Sequence, residues 1–450
     1  MVYFIGIKGV GMTALAQVMQ ARGIEVMGSD VTEPFMTDKV LTKSNIKVLT
    51  PFDASNIPKN IDYAVVSGAY YLDGKTPTNP EVIEVLNRNI PLLTYSQTLG
   101  NMSREFNYTL AVAGSHGKTT TSALLTYTLQ ELVQNPFGVI GAFVTQFGGN
   151  ARIGDNNSQY LVVEADEYQN HFLDIDMGGL IILNVDYDHP DFFTTPEIYY
   201  QAFVKAIDKL PLDKPLVVNG DDDNITRYIL PNIQDKTRNM FKFGLNLANN
   251  ITLDGDNSVI LEGNKYNQLN LAIAGKHNRL NALACLGLLY TLGFDINASI
   301  QAMSGFRGTQ RRLEYKGSTS TGVIIIDDYA HHPTEIMAGI QALREQYPEK
   351  IIHCVFQPHT FSRTEILLQE FGQALSQADY TYLLPIYASA REAEGPITSN
   401  DIMNYIDNNN TKIYKDSNDL KQDLSLIQGD DNLIITMGAG DVWKITKDMI

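Results

Sequence analysis

The stretch YTLAVAGSHGKTTTSALLTYTLQEL, residues 108–132, constrains this chain more than any other. An apolar run enters a glycine-bracketed turn, Gly114-Ser115-His116-Gly117, and a helical pattern follows from Thr119 to about Leu132. A buried strand that turns directly into a helix belongs to the α/β class, and the turn gathers backbone amides and a helix N-terminus at one point. Such a point suits phosphate. The amides cradle it, Lys118 offers charge to the β and γ oxygens, and the hydroxyl of Thr119, followed by Thr120, suits magnesium. The usual GxxxxGK spacing is not met, because Val112 stands where the first glycine would be. A glycine-capped turn with a solvated lysine is the bland alternative. The strand before and the apolar helix after supply the context that phosphate binding needs.

The same alternation recurs along the 450 residues. Strand patterns lie at 2–7, 64–67, 160–163, 180–185, 216–218, 323–326, 350–356, 380–385 and 432–436, with helical patterns between many of them. Alternation of this kind predicts parallel sheets with right-handed crossovers. So long a chain exceeds one core, and boundaries near residues 105 and 313 divide it into 1–105, 106–313 and 314–450. Lys and Arg total 34 against 51 Asp and Glu, a net charge of −17, which argues against nucleic-acid or anionic-membrane partners. Cys285 and Cys354, the two cysteines, sit in apolar runs and read as buried free thiols in a reducing compartment. No run approaches 18 apolar residues, and the first apolar run ends at Lys8 and glycines without a cleavage signal. The expectation is a cytoplasmic protein without membrane insertion, a monomer or homodimer.

The first glycine loop in chain order, Gly6-Ile7-Lys8-Gly9-Val10-Gly11, follows the first strand and opens a helix. It resembles a dinucleotide fingerprint in which Lys8 replaces the middle glycine, and Asp30 stands where a ribose-reading acid is expected. A side chain at position 8 obstructs close approach of a pyrophosphate. A nucleotide diphosphate held differently, with charge from Lys8, fits this loop better.

Taken in order, GIKGVGM at 6–12, GSD at 28–30, AGSHGKTTT at 113–121, EADEY at 164–168, NVDYDH at 184–189, GKHNRLNAL at 275–283, GTQRRLE at 308–314, DDYAHHPTE at 327–335 and QPHTFSR at 357–363 resemble the Mur ligases, ATP-dependent ligases of peptidoglycan precursors. The resemblance covers nearly the whole chain. It implies three domains: a Rossmann-like N-terminal domain for the UDP-substrate, a P-loop ATPase-like central domain, and a Rossmann-like C-terminal domain for the amino acid. It also implies a reaction in which ATP phosphorylates the carboxylate of UDP-N-acetylmuramate and the amine of L-alanine attacks the acyl phosphate. Phosphorylation turns a poor electrophile into one with a leaving group, and the moving charge needs cations and oriented amides.

By resemblance, Lys8, Gly9, Gly11, Asp30 and Ser67 contact the UDP-substrate, while Gly114 to Thr120 hold ATP. Glu164 and His189, each at the end of a strand, join Thr119 as magnesium ligands. Asp166, Asp186 and Asp188 read as loop polarity. Asn278 and Asn281 fall at the ATP site, with a cap on the helix that begins there as the competing role for Asn278. Arg312, at the domain junction, and Asp328, from the third domain, fall on the nucleotide, with Arg311 as a surface neighbour and Asp327 as the structural member of its pair. Tyr329, His331, His359 and Arg363 face the amino acid, and His359 and Arg363 share one face if the helix has begun. Asn79-Pro80-Glu81 also matches the family, although a turn explains Asn79-Pro80 as well.

A ligase that returns a recycled peptide to the same UDP-muramate is the nearest rival. QPHTFSR and YASARE at 387–392 favour alanine. Folate polyglutamate ligases lack the first domain. An NAD oxidoreductase explains only the first loop, and a catalytically inactive nucleotide-binding regulator leaves the retained Lys118, Glu164, His189 and Arg312 without purpose.

Overall fold

A computed structural model describes residues 1–71, 76–190, 192–238, 240–388 and 395–450. Three sheets run in chain order. The first joins β1 (Val2–Ile5), β2 (Val26–Ser29), β3 (Lys47–Leu49), β4 (Tyr63–Val66) and β5 (Leu92–Thr94) in the order β3-β2-β1-β4-β5, all parallel. Helix α1 (Val10–Ala21) follows β1, α2 (Asp38–Lys43) follows β2, and α3 (Pro80–Asn87) and α4 (Tyr95–Ser103) flank β5. The second sheet is centred on β6 (Tyr108–Ala113), whose last five residues are fully buried, as a central parallel strand requires.

Helix α5 (Lys118–Glu131) is buried almost all round despite its threonines. Its hydroxyls bond within the helix: Ser122 Oγ donates to the carbonyl of Lys118 at 2.9 Å, Thr126 to Ser122 at 2.7 Å, and Thr128 to Leu124 at 2.8 Å. These three hydroxyls are satisfied within the helix, which lowers the cost of placing it in the core.

The expectation of purely parallel pairing fails at the edges. On one side of the second sheet β7 (Phe137–Val144) turns back antiparallel into β8 (Gly149–Arg152) before β9 (Tyr160–Glu164). After β10 (Gly179–Ile182), α6 (Pro196–Lys209), β11 (Leu216–Asn219) and β12 (Met240–Phe243), the other side ends in a meander of β13 (Ile251–Leu253), β14 (Ser258–Leu261) and β15 (Asn264–Gln268). The two-residue turn Glu262-Gly263 has φ of +47° and +81°, which matches strand twist in a tight hairpin. Helices α7 (Lys276–Thr291) and α8 (Ile296–Met303) close this region. Cys285, on α7, is buried and free.

The third sheet runs β16-β17-β21-β18-β19-β20, from β16 (Glu314–Ser318), β17 (Ile324–Asp328), β18 (Ile351–Phe356), β19 (Tyr380–Leu383), β20 (Thr411–Ile413) and β21 (Asn432–Met437). Only β16 is antiparallel. Helices α9 (Pro333–Gln346), α10 (Phe361–Ile366), α11 (Leu368–Leu375), α12 (Ser399–Met403) and α13 (Ser417–Ser425) connect the strands. One apolar cluster holds Ile326, Ile340, Phe356 and Phe371, and a second holds Val355, Leu420, Ile434 and Val442. Cys354 on β18 lies in the first, and burial pushes its thiol up to about 12.

By contact density the chain forms two compact units. One comprises residues 1–187, 195–272 and 280–307, and the other 188–194, 273–279 and 308–450. Among the described residues no helix is long and apolar enough to cross a membrane.

Candidate active site

In the first unit the loop after β6 is shaped by two glycines and one asparagine. Gly114 has φ +136°, and a Cβ there would stand 3.0 Å from the carbonyl oxygen of Asn184. Gly117 has φ +83°, and its Cβ would meet Asn281 Oδ1 at 3.0 Å. Asn281 therefore lies against this loop. Asn184 clamps the loop: the amide of His116 donates to its Oδ1 at 2.8 Å, and its Nδ2 donates to the carbonyl of His116 at 3.0 Å. Ser115 Oγ bonds the carbonyl of Asp186 and Tyr199 Oη, each at 2.7 Å. Neither Asn184 nor Tyr199 was expected from sequence, although NVDYDH contains the first.

Lys118 begins α5 and curls back over its own loop. Its Nζ donates to the carbonyl of Gly114 at 2.6 Å and to Glu167 Oε2 at 2.7 Å. Burial would drive a proton off this lysine, but Glu167, Asp166 and Glu164 outweigh it and hold the pKa above the usual lysine value. The cation stays charged beside the phosphate loop. Glu167, fully buried, is a further residue that sequence reasoning passed over. Thr119 Oγ1 donates to Glu164 Oε2 at 3.0 Å, so two expected magnesium ligands adjoin. Hard oxygens paired in this way fit a magnesium ion. Tyr95, also unanticipated, packs its ring 3.0 Å from where a Cβ on Gly11 would stand, and burial together with Glu164 and Asp166 raises its pKa.

The first glycine loop departs from expectation at two residues. Lys8 is buried and directs its Nζ to the carbonyls of Val31 and Glu33 at 2.8 and 2.9 Å, so it staples the next loop instead of presenting charge. Asp30, also buried, accepts from the amide of Lys8 at 2.7 Å, the amide of Val31 at 2.8 Å and Tyr70 Oη at 3.0 Å. Its carboxylate shapes the loop rather than standing open to a ribose. Ser67 does reach the loop: a Cβ on Gly6 would stand 2.9 Å from its own. Gly9 is the N-cap of α1, and its amide donates to the carbonyl of Gly6 at 3.3 Å, closing the loop. Asn79 caps α3, accepting from the amides of Glu81 and Val82, and Glu81 is a buried acid bonded to Ser29 Oγ and Asn56 Nδ2. The motif Asn79-Pro80-Glu81 is scaffold.

In the second unit the loops after β17 and β18 converge. Tyr329 lies under two guanidinium groups, Arg311 at 4.9 Å and Arg312 at 5.3 Å from its ring centre. Arg311 is no surface neighbour; it bonds Asp327 Oδ2 at 3.1 Å and the carbonyl of Gly438 at 2.6 Å. Asp327 also accepts from Thr436 Oγ1 at 2.8 Å, which makes it a structural acid. Arg312 reaches Glu335 Oε1 at 3.3 Å. Asp328 is buried, and burial, relieved in part by Arg312, pushes its pKa up to about 7. His331 is pushed down to about 3 and His277 to about 4, burial being the main cause for both. The rings of His331 and His359 are 6.2 Å apart, and His359 stacks on Tyr387 at 5.9 Å. Ser389 to Glu392 of the YASARE motif lie outside the described residues.

Three further expectations need correction. Asn278 does not cap α7; it lies within the helix, which starts at Lys276, and its Nδ2 donates back to the carbonyl of Ala274 at 2.6 Å. His359 and Arg363 do not share a helical face, because α10 starts only at Phe361 and Thr360 before it has φ +68°. Asp188 is not loop polarity. It is buried, and Arg363 grips it through Nε and Nη2, both at 3.0 Å from Oδ1. Burial would raise the Asp188 pKa, but Arg363 with His189, His332 and His331 drives it below the carboxylate range. The same Oδ1 accepts the amide of His189 at 2.7 Å, and His189 has φ +56°. The buried pair thus fixes the backbone of the expected histidine ligand.

Three family models cover the chain in order: the Mur ligase family catalytic domain over residues 1–107, the Mur ligase middle domain over 112–289, and the Mur ligase glutamate ligase domain over 311–440. A UDP-N-acetylmuramate–L-alanine ligase of Desulfitobacterium hafniense is 36% identical over 462 residues, spanning 100% of this chain and 99% of its own. The chain belongs to the Mur ligase family. A second relative of that name, from Streptococcus gordonii, is 36% identical over 98% of this chain and 95% of its own. The crystal structure of a UDP-N-acetylmuramate–alanine ligase from Thermotoga maritima covers 100% of this Mur ligase, and 97% of its own chain is matched, at a TM-score of 0.80 and 26% identity. A murein peptide ligase from Psychrobacter arcticus shares the fold at a TM-score of 0.72 and 21% identity, with 100% of this chain and 97% of its own covered. The α/β architecture with its three sheets is that of the family.

Proposed function

We propose that this Mur ligase joins L-alanine to the carboxylate of UDP-N-acetylmuramate, with ATP converted to ADP and phosphate, in peptidoglycan precursor synthesis in the cytoplasm. The observation that carries this reading is the partly buried, charged Lys118 at the head of α5, in a chain whose full length matches alanine ligases.

The chemistry follows from the residues. A substrate carboxylate oxygen attacks the γ-phosphorus of ATP and ADP leaves; the alanine nitrogen then attacks the acyl carbon, phosphate leaves, and the amine gives up its proton. Both steps shift negative charge onto phosphate oxygens. Lys118 and the loop amides from Gly114 to Thr120 are aimed at that charge, and preorganised donors of this kind lower barriers most. Lys118 exchanges the carbonyl of Gly114 for a phosphate oxygen, while Glu167 keeps it protonated. Magnesium bound by Thr119, Glu164 and His189 would supply further neutralisation of the phosphates. Asn281 supports the loop beside the nucleotide, and Asn278, Arg312 and Asp328 are further ATP residues. Gly9, Gly11 and Ser67 hold the UDP-substrate. Tyr329, His331, His359 and Arg363 form the alanine end, in a division of labour over 1–105, 106–313 and 314–450.

The test is ADP release with UDP-N-acetylmuramate and, separately, L-alanine, glycine or the recycled tripeptide. Fastest turnover with L-alanine is expected. Turnover with the tripeptide alone would move the chain to the recycling branch, and none with any acceptor would leave a nucleotide-binding regulator.

A further inference from the structure

The hairpin at the edge of the second sheet carries a cavity that the ligase reading does not use. Its volume is about 350 Å³, and its polar lining comes from Gln17, Lys43, Ser44, Gln130, Gln146 and Arg152. No acidic side chain is among its described lining residues, in a chain with 17 more acids than bases. That reversal of charge is local and built. Gln17 is fixed by Asn150, its Nε2 donating to Oδ1 at 3.0 Å, and Asn150 is anchored to the carbonyl of Val10 at 2.6 Å. Both are buried. Arg152 is fixed through Nε on Gln130 Oε1 at 2.6 Å and Nη1 on the carbonyl of Ile153, while its Nη2 has no protein acceptor among the described residues. Asp155 acts on Arg152 electrostatically but is engaged by Asn135 and does not line the cavity.

Lys43 ends α2, and its ammonium makes no ion pair or hydrogen bond to the described protein. It stands 3.2 Å from where a Cβ on Gly148 would be, and Gly148 has φ +66°, so the backbone beneath the ammonium is bare for two reasons. An ammonium and a guanidinium with a spare N–H form a donor set for oxyanions, beside Ser44, whose Oγ donates to Gln17 Oε1 at 3.5 Å. The volume lies at the low end for ligand pockets, which limits the occupant to a small molecule. The site is distinct from the first glycine loop, since Gln17 lies roughly 9 Å along α1 from Gly11 at 1.5 Å per residue.

We propose that this cavity is a second anion site, which takes inorganic phosphate or a small phosphate monoester between Lys43 and Arg152. Occupancy has a reach beyond the cavity. Gln146, in the turn of the same hairpin, donates to the carbonyl of Gly305 at 3.0 Å and accepts from the amide of Arg307 at 2.8 Å. A filled cavity therefore steadies the segment just before Gly308.

The experiment uses the full chain saturated with ADP, magnesium and UDP-N-acetylmuramate, so that the substrate sites are filled. Orthophosphate and glycerol 3-phosphate are titrated separately by calorimetry, with amide exchange followed in parallel. Saturable binding of at least one probe is expected, with slowed exchange at 145–149 and 305–307. Whichever probe binds names the source of the phosphate. Lys43→Ala should weaken binding roughly ten- to a hundredfold, as loss of a charge-assisted contact does, and Arg152→Gln by at least as much. Because Lys43 is exposed, its variant keeps the test sound if Arg152→Gln fails to fold. Absence of saturable binding by both probes, or equal affinity in wild type and Lys43→Ala, would overturn the proposal.

Discussion

Single charges decide most of what this enzyme can do. Lys118→Ala should leave a folded protein whose kcat falls well over tenfold, because each tenfold needs only about 1.4 kcal/mol of lost transition-state stabilisation. Steady-state turnover at saturating ATP measures it; a kcat above a tenth of wild type would remove Lys118 from the chemistry. Arg363 carries two duties that can be separated. Arg363→Ala should raise the KM for L-alanine about ten- to a hundredfold. It should also cost about 3–5 kcal/mol of stability, since Asp188 is left buried without its guanidinium partner. Denaturant unfolding with an alanine titration separates the two, and an unchanged KM would leave Arg363 to the scaffold.

Acid sensitivity follows from the same region. His277 and His331, held near 4 and 3 by burial, stay neutral in the fold while the unfolded chain protonates them near 6.5, so acid favours unfolding between pH 6.5 and 4. Asp328 acts oppositely: pushed up to about 7, it keeps a proton in the fold that the unfolded chain has lost, and its contribution fades as pH rises from 3.8 to 7. Urea unfolding between pH 4.5 and 6 should show His331→Asn flattening the slope of stability by about 1.4 kcal/mol per pH unit, and Asp328→Asn steepening it by as much. Opposite signs would overturn the burial argument. The residue types at this site were legible in DDYAHHPTE and QPHTFSR. The Asp188 pairing was not, because no local pattern tells which of two neighbouring acids will meet an arginine 175 residues later.

At the scale of elements, the strand–loop–helix at 108–131 was readable because one short segment carries its whole logic: apolar strand, left-handed glycine, helix. The hairpins at the sheet edges were harder. Apart from β7 their strands are short, and the Glu262-Gly263 turn is the clearest turn signal among them. Lys8 and Asp30 misled for a related reason, since a glycine fingerprint fixes the path of the backbone but not where a flanking side chain turns. Gly117→Ala tests the phosphate loop as a unit. The substitution opposes φ +83° and presses on Asn281, so ATP affinity should fall at least tenfold while the melting temperature shifts by only a few degrees. Nucleotide binding by calorimetry measures it, and wild-type affinity would mean that the loop does not need its left-handed turn.

Across the whole molecule, the second compact unit is assembled from three pieces of chain, 188–194, 273–279 and 308–450. A fragment of residues 308–450 should therefore be much less stable than that unit in the intact protein, for Arg363 would be buried without Asp188. Circular dichroism melting of the fragment and of its Arg363→Met version tests this; the variant should melt higher, and equal melting would mean that the pair matters little. The three sheets were foreseeable from periodic alternation, but nothing in the composition of 188–194 or 273–279 marks them as members of another unit. Their membership has a consequence for how the protein is made. Both segments leave the ribosome well before residue 308, and at about 5–20 residues per second the remaining chain needs roughly ten seconds or more to appear. Arg363 itself follows Asp188 by 175 residues, so at that rate the acid waits roughly nine seconds or more for its partner. The newborn chain must carry an acid destined for burial in the company of water, and the second unit closes only when the last strand of its sheet has been synthesised.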